Sequence, residues 1–131
     1  MYTKRIHILI IDDDHEDVEF FIDVVTTLVK DGRCTVARSG DEAFIKLSVQ
    51  PHAPTHIFLD GMLHGMTSRD CLMKLKSNPQ WQAAKVIVYS GLMHPQTRAQ
   101  FIALGAEAFL EKPSSREELL SALKDILELS D

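Results

Sequence analysis

The feature that most constrains the fold is a repeated switch between short apolar runs and amphipathic segments. Residues 6–11 read IHILII, a run that is apolar on both faces and rich in β-branched side chains. Such runs are typical of central strands in parallel sheets, which helices cover on both sides. From Val18 onward, apolar residues recur at helical spacing, so the pattern predicts a strand followed directly by a helix.

The same alternation continues to the end of the chain and defines the predicted fold class. Predicted strands occupy residues 6–11, 34–38, 56–59, 86–89 and 106–110. Predicted helices occupy residues 18–29, with Asp14 as N-cap, 41–48, 68–76 and 95–104, and a fifth begins at Ser114 or Ser115. Because crossovers between parallel strands are right-handed, this order predicts an α/β fold, a doubly wound five-stranded parallel sheet with five helices.

Length and charge limit the remaining possibilities. The 131 residues fit one domain, so we expect a single unit over residues 1–131 without a separate output domain. A net charge of −5, from 19 acids and 14 bases, argues against broad attraction to nucleic acid or an anionic membrane. The first apolar run has only six residues, too few for a signal peptide or a membrane span, so we expect a cytoplasmic protein.

Polar side chains follow four of the predicted strands, at the point where each strand ends. They are Asp12 and Asp13, Asp60, Ser90, and Lys112. Ligands of open parallel sheets bind beyond the carboxyl ends of the strands. Each residue alone would also suit an ordinary turn or surface position. If the four strands are neighbours in the sheet, however, these side chains lie together at one edge.

That combination of side chains predicts a specific chemistry. Clustered carboxylates repel one another unless a cation compensates, and oxygen-only ligands favour Mg²⁺ over zinc. With Mg²⁺ and Lys112 neutralising phosphoryl oxygens and Ser90 donating a hydrogen bond, Asp60 could attack phosphorus. The sequence therefore indicates a site that receives a phosphoryl group.

Four motifs carry a family resemblance: residues 8–14 (ILIIDDD), 58–60 (FLD), 86–91 (VIVYSG) and 105–113 (GAEAFLEKP). With them the chain resembles, over essentially its whole length, a stand-alone response-regulator receiver domain of two-component signalling. The resemblance implies a flavodoxin-like fold of strand order 2-1-3-4-5 and a signalling role instead of an enzymatic one. It also implies phosphorylation by a sensor histidine kinase or phosphotransfer protein, and a downstream protein target bound through the fourth helix, fifth strand and fifth helix. Phe101 and Ile102 are candidates for that surface, although both would also suit a core.

The resemblance further implies a role for each site residue. Asp60 would be the phosphoacceptor, with Lys112 and Ser90 assisting. Mg²⁺ would be held by Asp13, Asp60 and the backbone carbonyl of Met62, and by Asp12 through water. Ser90 and Phe109 would form the switch, and the bond between Lys112 and Pro113 would be cis.

Two departures from the family pattern fall in the loop after Asp60. His64 stands where proline is common and Ser68 where glycine is common, so we expect this loop to be shaped differently. Met62 and Leu92 stand at positions that influence water attack in the family. Because neither apolar side chain can orient a water molecule, we expect slow self-dephosphorylation.

Three alternatives compete with the receiver interpretation. A haloacid-dehalogenase-like phosphatase needs Thr or Val at the position of Glu16. A flavodoxin-like nucleotide binder would have its phosphate repelled by the acids at 12–14. A receiver fold used as a binding module that needs no phosphorylation is disfavoured by the intact acid, hydroxyl and lysine set, yet it stays open.

Overall fold

The computed structural model describes residues 5–30 and 32–129 and contains ten regular elements in strict strand–helix alternation. Positions 1–4, 31, 130 and 131, which belong to the predicted unit 1–131, lie outside the described residues. The strands are β1 (His7–Ile11), β2 (Arg33–Ala37), β3 (His56–Leu59), β4 (Lys85–Ser90) and β5 (Ala108–Glu111). The helices are α1 (His15–Leu28), α2 (Gly40–Val49), α3 (Ser68–Ser77), α4 (Pro95–Ala103) and α5 (Arg116–Ile126).

All five strands are parallel and lie in the order β2-β1-β3-β4-β5, which confirms the predicted fold class. The register aligns the strand ends: Ile11 pairs with Leu59, and Leu59 pairs with Val88. Residues that directly follow β1 and β3 therefore lie side by side at the carboxyl edge of the sheet.

Each face of the sheet carries its own apolar core, because successive strand residues point to opposite faces. One face packs against α1 and α5, and its buried strand residues are Ile8, Ile10, Phe58, Ile87 and Tyr89. The other face packs against α2, α3 and α4, and its buried strand residues are Leu9, Ile11, Ala37, Ile57, Leu59, Val86 and Val88. Apolar side chains on both faces explain why these strands read as continuous apolar runs.

The helix caps follow the local sequence. Asp14 accepts a hydrogen bond from the Asp17 N–H and is the N-cap of α1, as predicted. Of the two serines considered for α5, Ser115 is the N-cap and accepts from the Glu118 N–H. In the part of the chain that the structure describes, no helix is long and apolar enough to span a membrane.

Helix α4 is the least firmly anchored of the five. Phe101 is its one buried side chain among the described residues, and its N-cap, His94, forms no side-chain capping bond. Its neighbour Ile102 is exposed. Of the two residues considered for a partner surface, Phe101 therefore belongs to the core and Ile102 remains available on the outside.

Candidate functional site

The sheet register brings three carboxylates together. The Asp60 N–H donates to the Ile11 carbonyl (2.9 Å), which continues the ladder one residue past β3 and sets Asp60 beside Asp12. One oxygen each of Asp12, Asp13 and Asp60 lie within 4.8 Å of one another. The predicted acidic cluster is therefore present at the carboxyl edge of the sheet.

Asp12 is fully buried, and its two oxygens have different surroundings. Oδ1 accepts a hydrogen bond from the Asp14 N–H (2.9 Å). Oδ2 lies 2.9 Å from the Lys112 ammonium, an ion-pair distance, but no donor approaches it with hydrogen-bond geometry. Buried carboxylate oxygens normally have such a partner, so this atom fits the ligand set of a cation bound between the three acids. Because the set consists of carboxylates, it suits a hard divalent ion such as Mg²⁺.

The surroundings of Asp60 disfavour its ionised form. Its Oδ1 accepts from the Met62 N–H (3.0 Å), and its side chain is largely buried. Burial, followed by the negative charge of Asp12, raises the pKa of Asp60 to about 6, against the opposing effects of the Met62 N–H and Lys112. Asp60 is thus mostly ionised at neutral pH, at a cost that an added cation would relieve.

Lys112 is the cation of the site, and its closest partner is a residue that the sequence did not single out. Its Nζ lies 2.7 Å from Asp17, 2.9 Å from Asp12 and 3.9 Å from Asp60. Burial alone would lower the pKa of Lys112, but the close contacts of its ammonium with Asp17 and Asp12 and the charge of Asp60 outweigh it and raise the pKa. From sequence, Asp17 could be assigned only to the acidic first turn of a helix.

The predicted cis bond between Lys112 and Pro113 is wrong. The described residues contain no cis peptide bond, so this one is trans. Trans is the intrinsic preference of an X–Pro bond by about 0.5–1 kcal/mol. With the trans bond, the Lys112 N–H donates to the Ser90 carbonyl (2.6 Å) while its side chain reaches Asp12 and Asp17, so local contacts do not demand the cis form.

Ser90 is buried at the end of β4, directly against the backbone that follows Asp60. A Cβ built on Gly61 would lie 3.0 Å from Ser90 Oγ and 2.4 Å from the Met93 methyl group, so a side chain there would displace the end of Met93 and crowd Ser90. On its other side, Ser90 lines a cavity of about 50 Å³ that is also lined by Met93, Arg98 and Phe109.

Phe109 is half-buried beside that cavity. Its ring packs edge-on against Phe101 (6.2 Å between centroids) and lies 5.1 Å from the Arg98 guanidinium carbon. The cavity volume is close to that of one or two water molecules and far below the roughly 150 Å³ that admits a benzene ring. A further inward movement of Phe109 therefore requires Met93 or Arg98 to move as well.

The two departures in the loop after Asp60 each make defined contacts. The buried hydroxyl of Ser68 donates to the Asp60 carbonyl (2.6 Å) and accepts from the Leu63 N–H (3.2 Å), bonds that glycine could not form. His64 Nδ1 lies 2.5 Å from Asp13 Oδ2. Their hydrogen bond raises the pKa of His64 and lowers that of Asp13. This loop is therefore tied to the acidic cluster by side chains particular to this sequence.

Comparison with known proteins agrees with this architecture. Residues 8–124 match the response regulator receiver domain. PilG of Pseudomonas aeruginosa is 32% identical over 100 residues, which cover 75% of this chain and 73% of PilG. The phosphate regulon transcriptional regulatory protein PhoB of Rhizobium meliloti is 31% identical over 88 residues, which cover 67% of this chain and 38% of PhoB. The chain thus spans well under half the length of PhoB.

The same fold occurs in a solved structure of response regulator Rcp1 in a Mn²⁺-bound form. It superposes with a TM-score of 0.83 at 22% identity and covers 95% of this chain and 96% of Rcp1. A doubly wound five-stranded sheet with an acidic cluster at its carboxyl edge defines the structural class. Within that class, this chain belongs to the response regulator receiver domain family.

Proposed function

We propose that the chain is the receiver of a two-component response regulator and that Asp60 is its phosphoacceptor. The observation that carries the proposal is the convergence of Asp12, Asp13 and Asp60 within 4.8 Å, with the Lys112 ammonium 3.9 Å from Asp60. The donor would be a sensor histidine kinase or phosphotransfer protein in the cytoplasm. The function is signalling, with self-phosphorylation chemistry and no turnover of a separate substrate.

In the proposed reaction, an ionised Asp60 oxygen attacks phosphorus and forms an acyl phosphate. The P–N bond of a phosphohistidine donor breaks, and the imidazole leaves with the electron pair and is protonated. Lys112 would approach the new phosphoryl oxygens, for which it must loosen its contact with Asp17. A Mg²⁺ ion held by Asp13, Asp60 and the Met62 carbonyl, and by Asp12 through water, would neutralise further phosphoryl charge.

The proposed output is a population shift centred on Ser90. A phosphoryl group on Asp60 would draw the Ser90 hydroxyl toward it, since Ser90 already abuts Gly61. Phe109 would then move into the enlarged cavity together with Met93 or Arg98. The sparse anchoring of α4 supports this idea, because movement there sacrifices little core packing. The face formed by α4, β5 and α5 would consequently change its affinity for a downstream protein.

The decisive experiment is incubation with acetyl phosphate and Mg²⁺ followed by intact-mass spectrometry under conditions that preserve acyl phosphates. We expect a single phosphoryl adduct on the wild-type protein and on Asp70→Asn, an exposed acid in the first turn of α3. The adduct should be lost in Asp60→Asn and in the presence of EDTA. A wild-type protein without the adduct, or an Asp60→Asn variant that keeps it, would refute the proposal.

A further inference from the structure

The imidazole of His64 lies directly on the acidic cluster. Its Nδ1 is 2.5 Å from Asp13 Oδ2, although the two residues are 51 positions apart in the chain. The side chain of His64 is 93% exposed, so packing does not hold the ring in this position. The hydrogen bond to Asp13 instead places the ring at the edge of the acidic cluster. As the donor of that bond, Nδ1 carries a proton, which it must lose before its lone pair can bind a metal ion.

A separate observation indicates that the cluster is built to hold a cation. The fully buried Asp12 Oδ2 receives no hydrogen bond and has the Lys112 ammonium as an ion-pair partner at 2.9 Å. One oxygen from each of Asp12, Asp13 and Asp60 lies within 4.8 Å of the others, so three negative charges face this one ammonium. Neighbouring ligands of one octahedral ion lie about 3 Å apart when each metal–ligand bond is about 2.1 Å. The separation between His64 and Asp13 is within about 0.5 Å of that spacing. The group of ligand atoms within 4.8 Å of one another does not include His64, so the exposed ring must swing inward from Asp13 to join the ligand set.

We propose that His64 is a nitrogen ligand of the divalent ion bound by Asp12, Asp13 and Asp60. This inference rests on the metal site of the proposed function and adds a ligand of a different chemical kind. Carboxylate and water oxygens suit Mg²⁺, whereas imidazole suits first-row transition ions such as Mn²⁺, Ni²⁺ and Zn²⁺. The mixed set thus shifts the preference of the site away from Mg²⁺ and toward transition metals.

The competing explanation gives the opposite result. If His64 only occupies Asp13 as a hydrogen-bond partner, the ring competes with any incoming ion. Removing it would then strengthen the binding of Mg²⁺ and Mn²⁺ alike. If His64 is a nitrogen ligand, by contrast, removing it weakens the binding only of those ions that bind nitrogen well.

The test compares wild type, His64→Ala and His15→Ala by calorimetric titration with MnCl₂ and with MgCl₂. His15 is a matched control, because it is an exposed histidine at the start of α1 whose ring pairs with Glu19 at 2.9 Å. We expect His64→Ala to weaken Mn²⁺ binding by about tenfold or more and to change Mg²⁺ binding far less. Pulsed EPR of the Mn²⁺-loaded protein should show directly bound nitrogen in wild type and His15→Ala, and none in His64→Ala.

The possible outcomes separate this inference from the function it rests on. Absence of bound nitrogen in the wild-type EPR spectrum overturns the His64 inference alone, as does a gain in affinity for both ions in His64→Ala. A wild-type protein that binds neither ion overturns the inference together with the proposed metal site. A phosphoryl adduct that requires a divalent ion, combined with no effect of His64→Ala, leaves the proposed function intact and removes only the histidine.

Discussion

The acidic cluster has two halves that are built in different ways. The inner half, Asp12, Asp60 and Lys112, is mostly buried, and hydrogen bonds that extend the sheet ladder position its acids. The outer half, Asp13, Met62 and His64, lies in loops, and its two largest side chains are exposed. The strand register thus imposes the inner half, while the outer half depends on side chains chosen by this particular sequence.

This difference in burial predicts that the two halves influence the proposed phosphorylation in different ways. Changes in the inner half alter charges that the fold has already confined, so they affect stability and phosphorylation together. Changes in the outer half act on groups that water already reaches, so their effect on stability should be small. Substitutions on the two sides can test whether this division is real.

The largest effect on stability is expected from Asp60→Asn in the inner half. The pKa of Asp60 is raised from 3.8 to about 6, so the folded state holds its proton more tightly than the unfolded state does. This stabilising contribution is complete below about pH 4 and is lost as pH rises through about 6. Since asparagine carries no such penalty, Asp60→Asn should be more stable than wild type by roughly 2–3 kcal/mol at pH 8.

Urea denaturation in EDTA at a series of pH values measures that difference directly. The gap in unfolding free energy between Asp60→Asn and wild type should shrink toward zero near pH 4. A difference in unfolding free energy that does not change with pH, or a variant less stable than wild type at pH 8, would show that the folded state does not raise the pKa of Asp60.

Ser68→Ala tests the connection between the two halves. The Ser68 hydroxyl joins the Asp60 carbonyl to the Leu63 N–H from a buried position, and alanine leaves both groups without that partner. We expect the unfolding free energy to fall by roughly 1–3 kcal/mol in urea denaturation. Ser77→Ala is the matched control, because this exposed serine bonds one carbonyl within its own helix. Equal losses of unfolding free energy in the two variants would mean that the hydrogen bonds of Ser68 stabilise the fold no more than the bond of an exposed serine.

The fold was predictable because its signals are local. Each strand is a short apolar run, and the helices are marked by apolar residues at helical spacing and, as Asp14 illustrates for α1, by a local cap. Element ends were less accurate, because they depend on ladder bonds between distant residues. Residues 106–110 were predicted as the fifth strand, whereas β5 begins at Ala108, since the Ala106 N–H instead bonds back to Phe101 at the end of α4.

The site was predictable only where a residue directly follows a strand. Asp60 directly follows β3 and Ser90 directly follows the predicted strand 86–89, so the sheet order alone places them together. Asp17 does not, because its role depends on Lys112, which is 95 residues away in the chain. The contact between His64 and Asp13 spans 51 residues and likewise leaves no local signal. Long-range side-chain pairing is therefore the part of this site that one sequence does not reveal.

Asp17→Asn tests how tightly Asp17 holds the Lys112 ammonium in the inner half. Lys112 lies closer to Asp17 than to Asp60, by 2.7 Å against 3.9 Å. Weakening the Asp17 contact should let the ammonium move toward Asp60 and speed phosphorylation by acetyl phosphate. A partly exposed ion pair is worth about 0.5–1 kcal/mol, so the expected gain in rate is about two- to fivefold.

The neighbouring variant Glu16→Gln is the control, because it removes an acid from the same helical turn and leaves the described partners of Lys112 in place. Both rates can be followed by the mass-spectrometric appearance of the adduct. A slower reaction in Asp17→Asn would reverse the assignment, since Asp17 would then be holding Lys112 where the reaction needs it.

The smallest effect is expected in the outer half, from Met62→Asn. Met62 and Leu92 are 77% and 93% exposed, and their side chains carry no polar group that could orient the surrounding water. An amide at position 62 can direct a water molecule toward the phosphoryl group but cannot take its proton, which is the larger source of catalysis. We therefore expect phosphate loss after donor removal to accelerate by only about twofold, with unchanged stability. Met73→Asn, an exposed methionine in α3, is the control, and a Met62→Asn variant that keeps its phosphate as long as wild type would show that the outer half does not set the lifetime.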